Sequence, residues 1–301
     1  MALSIFNETF FPHGTIFEQF FTSLCSGFRN DADMTYENTH GLTETVDLSF
    51  EELGSPDNAP LIILHGFFAS SRNWRQIAEK LAARFHVYVL DMRNHGSSPH
   101  HPVMDYPSMA ADLLLFMKTQ GLTTASLLGH SMGGKVAMWF ALHHPERMDK
   151  LIVVDIAPVS YKHSFDNLIQ ALKELPLHEI SNRKQAELLL ASDIPELGYR
   201  QFLLQNLILK GGAYRWRVDL DIFYRMAPNI IAFPGVEQAT PFAGKTLFLA
   251  GEDSGYVKAG DVSTLFPDAT LSVIANAGHW LHVQQPGVFI EQVEEFFCRL
   301  G

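Results

Sequence analysis

Short runs in which almost every residue is apolar recur along the chain: LIIL from Leu61, VYVL from Val87, LL at Leu127–Leu128 leading into Gly129, LIVV from Leu151 and LFLA from Leu247. Each is bounded by polar or turn-forming residues, which suits strands covered on both faces in the middle of a parallel sheet. Helical patterns fall between them, over about 74–83, from Ser108 to Gly121, and over 132–144. Strand and helix alternate, so the pattern predicts an α/β fold with a mostly parallel sheet and helices on both faces. Val46, Leu48 and Phe50 alternate with polar residues and predict a half-buried first strand. LSVI from Leu271 and a helix over 288–300 close the series.

The rhythm breaks at Ala157. From there to Phe242 the chain reads as amphipathic helices, roughly 165–174, 182–191, 199–209 and 220–225, with no buried strand. The expected organisation is a helical cap over 158–242, inserted after the sixth strand of an eight-stranded sheet whose core is formed by 43–157 and 243–301. Residues 1–42 form an extension. Thr15 and Glu18 make a capping box, Phe17, Phe20, Phe21, Leu24 and Phe28 recur at helical spacing, and 29–42 are polar and turn-rich. Such an apolar stripe needs a partner: first the body of the fold, otherwise a lid-side contact, a second copy in a homodimer or a lipid surface.

Composition narrows the class. A formal charge of −11 argues against nucleic acid and against an anionic membrane surface. No window has the length of a membrane-spanning helix, and the first residues lack a basic region and contain Glu8 and Pro12, unlike a signal peptide. Cys25 and Cys298 are too few for a disulfide framework; they read as small packing residues in a reducing, cytoplasmic setting.

The chemistry centres on LLGHSMGG, Leu127 to Gly134. A GxSxG pattern between an apolar strand and a helix places Ser131 on a strained elbow that lifts its hydroxyl off the sheet. A serine needs a base. His279, in NAGHW after the last strand, can swing over the sheet edge to supply it. The histidine needs a carboxylate to hold its tautomer, and two candidates respect the chain order. Asp253 follows the strand TLFLAG, although the usual acid position, three residues past Gly251, holds Ser254. Asp155 follows Ser131 by a helix descending about 21 Å and a strand climbing back about 20 Å, which returns it to the same edge. The oxyanion donors are the amides of Met132 and, from the loop after LIILHG, Phe67; a buried hydrogen bond of His65 shapes that loop. No metal spacing occurs, and no metal or cofactor is expected.

With LHGF at Leu64–Phe67, DMRNHGSSPH from Asp91, GHSMGG, VVDIAP and NAGHW in this order, the chain resembles the α/β-hydrolase superfamily. Within it, the chain is similar to the esterase group that includes the bacterial YbfF esterase and the mitochondrial abhydrolase-domain-11 proteins. The resemblance covers about residues 43–300. It implies cleavage of carboxylic esters or thioesters, with the acid on the sixth strand, at Asp155, although Asp253 stands where that group tends to carry Asn. Carbon–carbon bond hydrolases and lactonases share the elbow, and a hydrolase fold kept only for binding is the non-enzymatic alternative. Phe68, Tyr161, Phe202, Trp216, Phe223 and Trp280 are candidate walls of a pocket for a small ester or thioester. Lys210, Arg215, Arg217 and Arg225 fall in one stretch of a cap with equal numbers of acidic and basic residues, which fits attraction of an anionic leaving group.

Overall fold

The computed structural model describes residues 44–236 and 239–298. The expected helix at 15–28, Cys25 and any dimer role for that segment lie outside them. Seven strands form one sheet, ordered β1-β3-β2-β4-β5-β8-β9. They are β1 (Phe50–Leu53), β2 (Pro60–Leu64), β3 (His86–Leu90), β4 (Ala125–His130), β5 (Met148–Val154), β8 (Thr246–Gly251) and β9 (Thr270–Ile274), with β6 and β7 elsewhere. Only β1 is antiparallel to its neighbour. Alternation along β2 shows why the central strands read as continuous apolar runs: Leu61 and Ile63 enter one core, Ile62 and Leu64 the other. The core of Ile62 and Leu64 is covered by α2 (Tyr106–Thr119) and α3 (Met132–His143), that of Leu61 and Ile63 by α1 (Arg75–Leu81) and α8 (Pro286–Cys298).

Several boundaries differ from the sequence pattern. The sheet has seven strands among the described residues, not eight, so the break at Ala157 follows the fifth. The first strand starts at Phe50 because the backbone before it is held by side chains: Val46 N–H donates to Asp112 at 2.8 Å and Ser49 N–H to Ser98 Oγ at 2.8 Å. Helix α2 starts two residues before Ser108, capped by Asp105, whose carboxylate accepts the Ser108 N–H at 2.8 Å. Cys298 is exposed at the end of α8, beyond the turns through which Phe289 and Val293 reach the core.

Between β5 and β8 lie α4 (Asp166–Glu174), α5 (Arg183–Leu189), α6 (Leu197–Leu203), a hairpin of β6 (Leu207–Lys210) and β7 (Ala213–Trp216), and α7 (Leu220–Ile231). The hairpin replaces the end of the helix expected over 199–209. Gly211 and Gly212 take φ of +64° and +80°, the conformation a two-residue hairpin turn requires. Helix α7 runs past Arg225 through Pro228, because Ala227 and Ile230 continue its buried stripe.

A fully buried ion pair ties the loop after β3 to α2. Arg93 Nε donates to Asp112 Oδ2 at 2.6 Å and Nη2 to Oδ1 at 2.8 Å, while its other donors reach the carbonyls of Glu44, Val103 and Ser108. Removing the cation would strand the carboxylate. Arg93→Ala is therefore expected to lower the free energy of unfolding by about 3–5 kcal/mol, read by denaturant titration.

Candidate active site

The elbow expected at Ser131 forms where β4 turns into α3. Ser131 has φ 53° and ψ −119°, a strained backbone, and is partly exposed between buried flanks at 125–130 and 132–138. The turn is tight enough that a Cβ on Gly129 would lie 2.3 Å from the Gly133 carbonyl oxygen, and one on Gly133 2.3 Å from that of Leu64. The serine sits at the amino end of α3, where the first N–H groups, that of Met132 among them, have no partner within the helix.

His279 lies on the loop after β9. Its Nδ1 is 2.8 Å from Asp155 Oδ2. Because a carboxylate only accepts, Nδ1 carries a proton, and in the neutral imidazole that leaves the lone pair on Nε2. Asp155, fully buried, follows β5 in a left-handed conformation (φ +50°) and also accepts from Gly251 N–H at 3.0 Å and Ser254 Oγ at 2.5 Å. Ser254, three residues past Gly251, thus donates to Asp155. Asp253 instead donates its N–H to the Ala277 carbonyl at 2.9 Å, bracing the loop that carries His279.

Further groups that the sequence left unassigned hold this imidazole. His130 Nε2 donates to the His279 carbonyl at 2.8 Å, and burial keeps its pKa well below the usual range, so it is neutral. Tyr256 packs on the His279 ring at 4.5 Å. His282 stacks flat on Trp74 at 4.2 Å, its pKa pushed by burial to about 3. Nothing local in the sequence marks these residues, apart from the place of His130 inside the GxSxG pattern.

Opposite the elbow, the loop after β2 turns between Gly66 O and Ala69 N–H at 3.1 Å, with Phe68 at φ +63°. His65 shapes it as expected: Nε2 accepts from Met92 N–H at 3.0 Å, so Nδ1 carries the proton and donates to the Gly66 carbonyl at 2.8 Å. Ser131, His279, Met132 and Phe67 all line one cavity of about 320 Å³, toward the small end of ligand sites. Phe68, Tyr161, Phe202 and Trp280 line it as well. Trp216 and Phe223 do not. The Trp216 indole donates to the Leu172 carbonyl at 3.2 Å within the inserted segment, and Phe223 is fully buried behind Phe67, stacked at 4.6 Å. Periodicity marks an aromatic as buried without saying behind what.

Lys135, one turn into α3, also borders the cavity although its residue is only 1% exposed. Its Nζ donates to the carbonyls of Ile231 and Ala232 at 2.7 and 2.8 Å, and Tyr106 Oη donates to Ile230 O at 2.5 Å. Together they anchor the end of α7 to the core. Burial lowers the lysine from its ordinary 10.5 to about 7; the neutral amine retains two N–H groups for the two carbonyls. A lowered lysine pKa means the unfolded chain binds the extra proton above about pH 7, so stability rises with pH there. Between pH 7 and 9, wild type is expected to gain about 2 kcal/mol relative to Lys135→Met in denaturant titrations.

Among the described residues no group of three or more His, Cys, Asp or Glu could hold a metal ion, and no helix is long and apolar enough to cross a membrane. Residues 59–286 match the family of the α/β-hydrolase fold. The chain belongs to that family. It is 39% identical over 265 residues to the sn-1-specific diacylglycerol lipase ABHD11 of Mus musculus, covering 84% of this chain and 86% of the relative. Esterase YbfF of Escherichia coli is 34% identical over 244 residues, covering 80% and 93% respectively. A solved marine microorganism esterase superposes with a TM-score of 0.80 at 42% identity, covering 84% of this chain and all of its own. The protein is a hydrolase of the esterase and lipase group within the α/β-hydrolase family.

Proposed function

We propose that this hydrolase cleaves carboxylic esters of small molecules, and acyl thioesters by the same route, with Ser131 as nucleophile, His279 as base and Asp155 as its carboxylate partner. The observation that carries the reading is the 2.8 Å hydrogen bond from His279 Nδ1 to buried Asp155, on the wall of the cavity that the elbow serine enters. Asp155 fixes the tautomer in which Nε2 can accept a proton. Nε2 takes the Ser131 hydroxyl proton as Oγ bonds to the acyl carbon, and the carbonyl electron pair moves onto its oxygen. The Phe67 and Met132 amides stabilise that oxyanion. Collapse breaks the C–O or C–S bond, and His279 returns the proton to the leaving alkoxide or thiolate. Water, deprotonated in turn by His279, attacks the acyl-enzyme and releases the acid and Ser131. No cofactor enters these steps. The lipase activity named for the vertebrate relatives makes glyceride esters a class to include.

The test is labelling with a fluorophosphonate probe beside turnover of p-nitrophenyl esters of increasing chain length. The expected result is hydrolysis together with labelling that disappears in Ser131→Ala. Unlabelled wild-type protein that is inert towards the whole series would refute the reading.

A further inference from the structure

The four cationic residues of the stretch 210–225 do not gather in space. Arg215 donates to the Lys210 carbonyl at 3.3 Å within the hairpin, and Arg225 lies beside Asp221 on α7. Arg217 instead feels the charges of Arg72 and Arg183 where the inserted segment meets the core. That seam is fixed by hydrogen bonds: Asn73 Nδ2 to Gln205 Oε1 at 2.8 Å, Asn206 Nδ2 to the Phe68 carbonyl at 2.8 Å, and Arg217 N–H to the Asn206 carbonyl at 2.7 Å. Arg183 reaches the same place, its Nε and Nη2 donating to the Leu207 carbonyl at 3.1 and 2.8 Å. Arg72, next to Asn73, is exposed and lines the cavity with Asn73 and Gln205, which puts it at the mouth.

Like charges brought together need a reason, the more so in a chain of formal charge −11. Among the described residues the arginine ion pairs belong to Arg75, Arg84, Arg93 and Arg147; none involves these three. Arg217 Nε is buried with no hydrogen-bond partner among the described residues. Burial, then the charge of Arg72 and, more weakly, that of Arg183, push the Arg217 pKa down, against the pull of Asp91. Asp91 does not neutralise the group by contact, since its two oxygens accept the Ser71 and Ser97 amides at 2.7 Å each.

We propose that Arg72, which lines the cavity, forms with Arg217 and Arg183 on the adjoining seam an anion subsite, taking a carboxylate or phosphate carried by the substrate away from its scissile bond. The proposal rests on the ester reading for the word substrate, and on the seam geometry for the site. Guanidinium groups present paired N–H donors that fit such oxygens, and an anion there relieves the repulsion among the three.

The experiment is calorimetric titration of Ser131→Ala protein with monohexyl phosphate, hexanoate and, as neutral comparator, 1-hexanol. Monohexyl phosphate is expected to bind at least ten-fold more tightly than 1-hexanol, and the gain to vanish in Ser131→Ala carrying Arg217→Gln. Arg72→Gln, at an exposed position, repeats the test without disturbing the buried Nε of Arg217. An equal gain for hexanoate identifies a carboxylate as sufficient; a gain for the phosphate alone identifies a phosphate. No gain over 1-hexanol, or one that survives both substitutions, overturns the subsite. Turnover of p-nitrophenyl butyrate by wild type reports separately on the ester reading: hydrolysis without an anion gain sinks only the subsite, and a gain without hydrolysis sinks only the ester reading.

Discussion

Asp155→Asn is expected to lower kcat for ester hydrolysis by about 10⁴-fold, equivalent to about 5 kcal/mol of transition-state stabilisation. An asparagine can offer His279 its NH₂ in place of an accepting oxygen, which favours the wrong imidazole tautomer and leaves Nε2 unable to take the serine proton. It also cannot stabilise the imidazolium that forms. Asp253→Asn is the matched control. Its contribution at the site is a backbone N–H donated to Ala277, which the substitution retains, so kcat should change by less than about three-fold on the scale of a surface substitution. Steady-state kinetics of the two variants on one p-nitrophenyl ester decides the matter. Equal losses, or a larger loss for Asp253→Asn, would reassign the acid.

Ser131→Ala is expected to reduce kcat by about 10⁶-fold, and His279→Ala by a similar factor, while the double variant loses no more than either alone. The reason is that the two groups perform one step: without the base the hydroxyl keeps its proton, and without the hydroxyl the base has none to take. Residual hydrolysis above the uncatalysed rate would come from the Phe67 and Met132 amides and from binding. Multiplicative losses would mean that the residues act in separate steps. Protein purified away from contaminating esterases is essential, because the predicted residual rate is low.

Particular residues show how far the linear pattern reaches. Ser131 was legible because its signal is local: an apolar strand, two glycines without room for a Cβ, and a helix start lie within eight residues. His65 was legible for the same reason, lying at the end of its strand. The hairpin at 207–216 was missed although Gly211 and Gly212 stand in the sequence, because LILK and AYRW are too short for their alternation to outweigh a helical pattern upstream. Trp216 and Phe223 were placed in the pocket on residue type, and only the packing of the inserted segment turns one towards Leu172 and the other behind Phe67.

By itself the sequence determined the layered α/β architecture, since burial on two faces demands continuous apolar strands and burial on one face of a helix demands its stripe. It also determined the elbow, whose steric needs are met by neighbours in the chain. Tertiary structure decided which carboxylate stands beside His279 and which aromatics face the cavity. Those side chains leave loops and segment ends, where direction is set by hydrogen bonds to residues up to 149 positions away, as between His130 and His279. No periodicity records such a pairing.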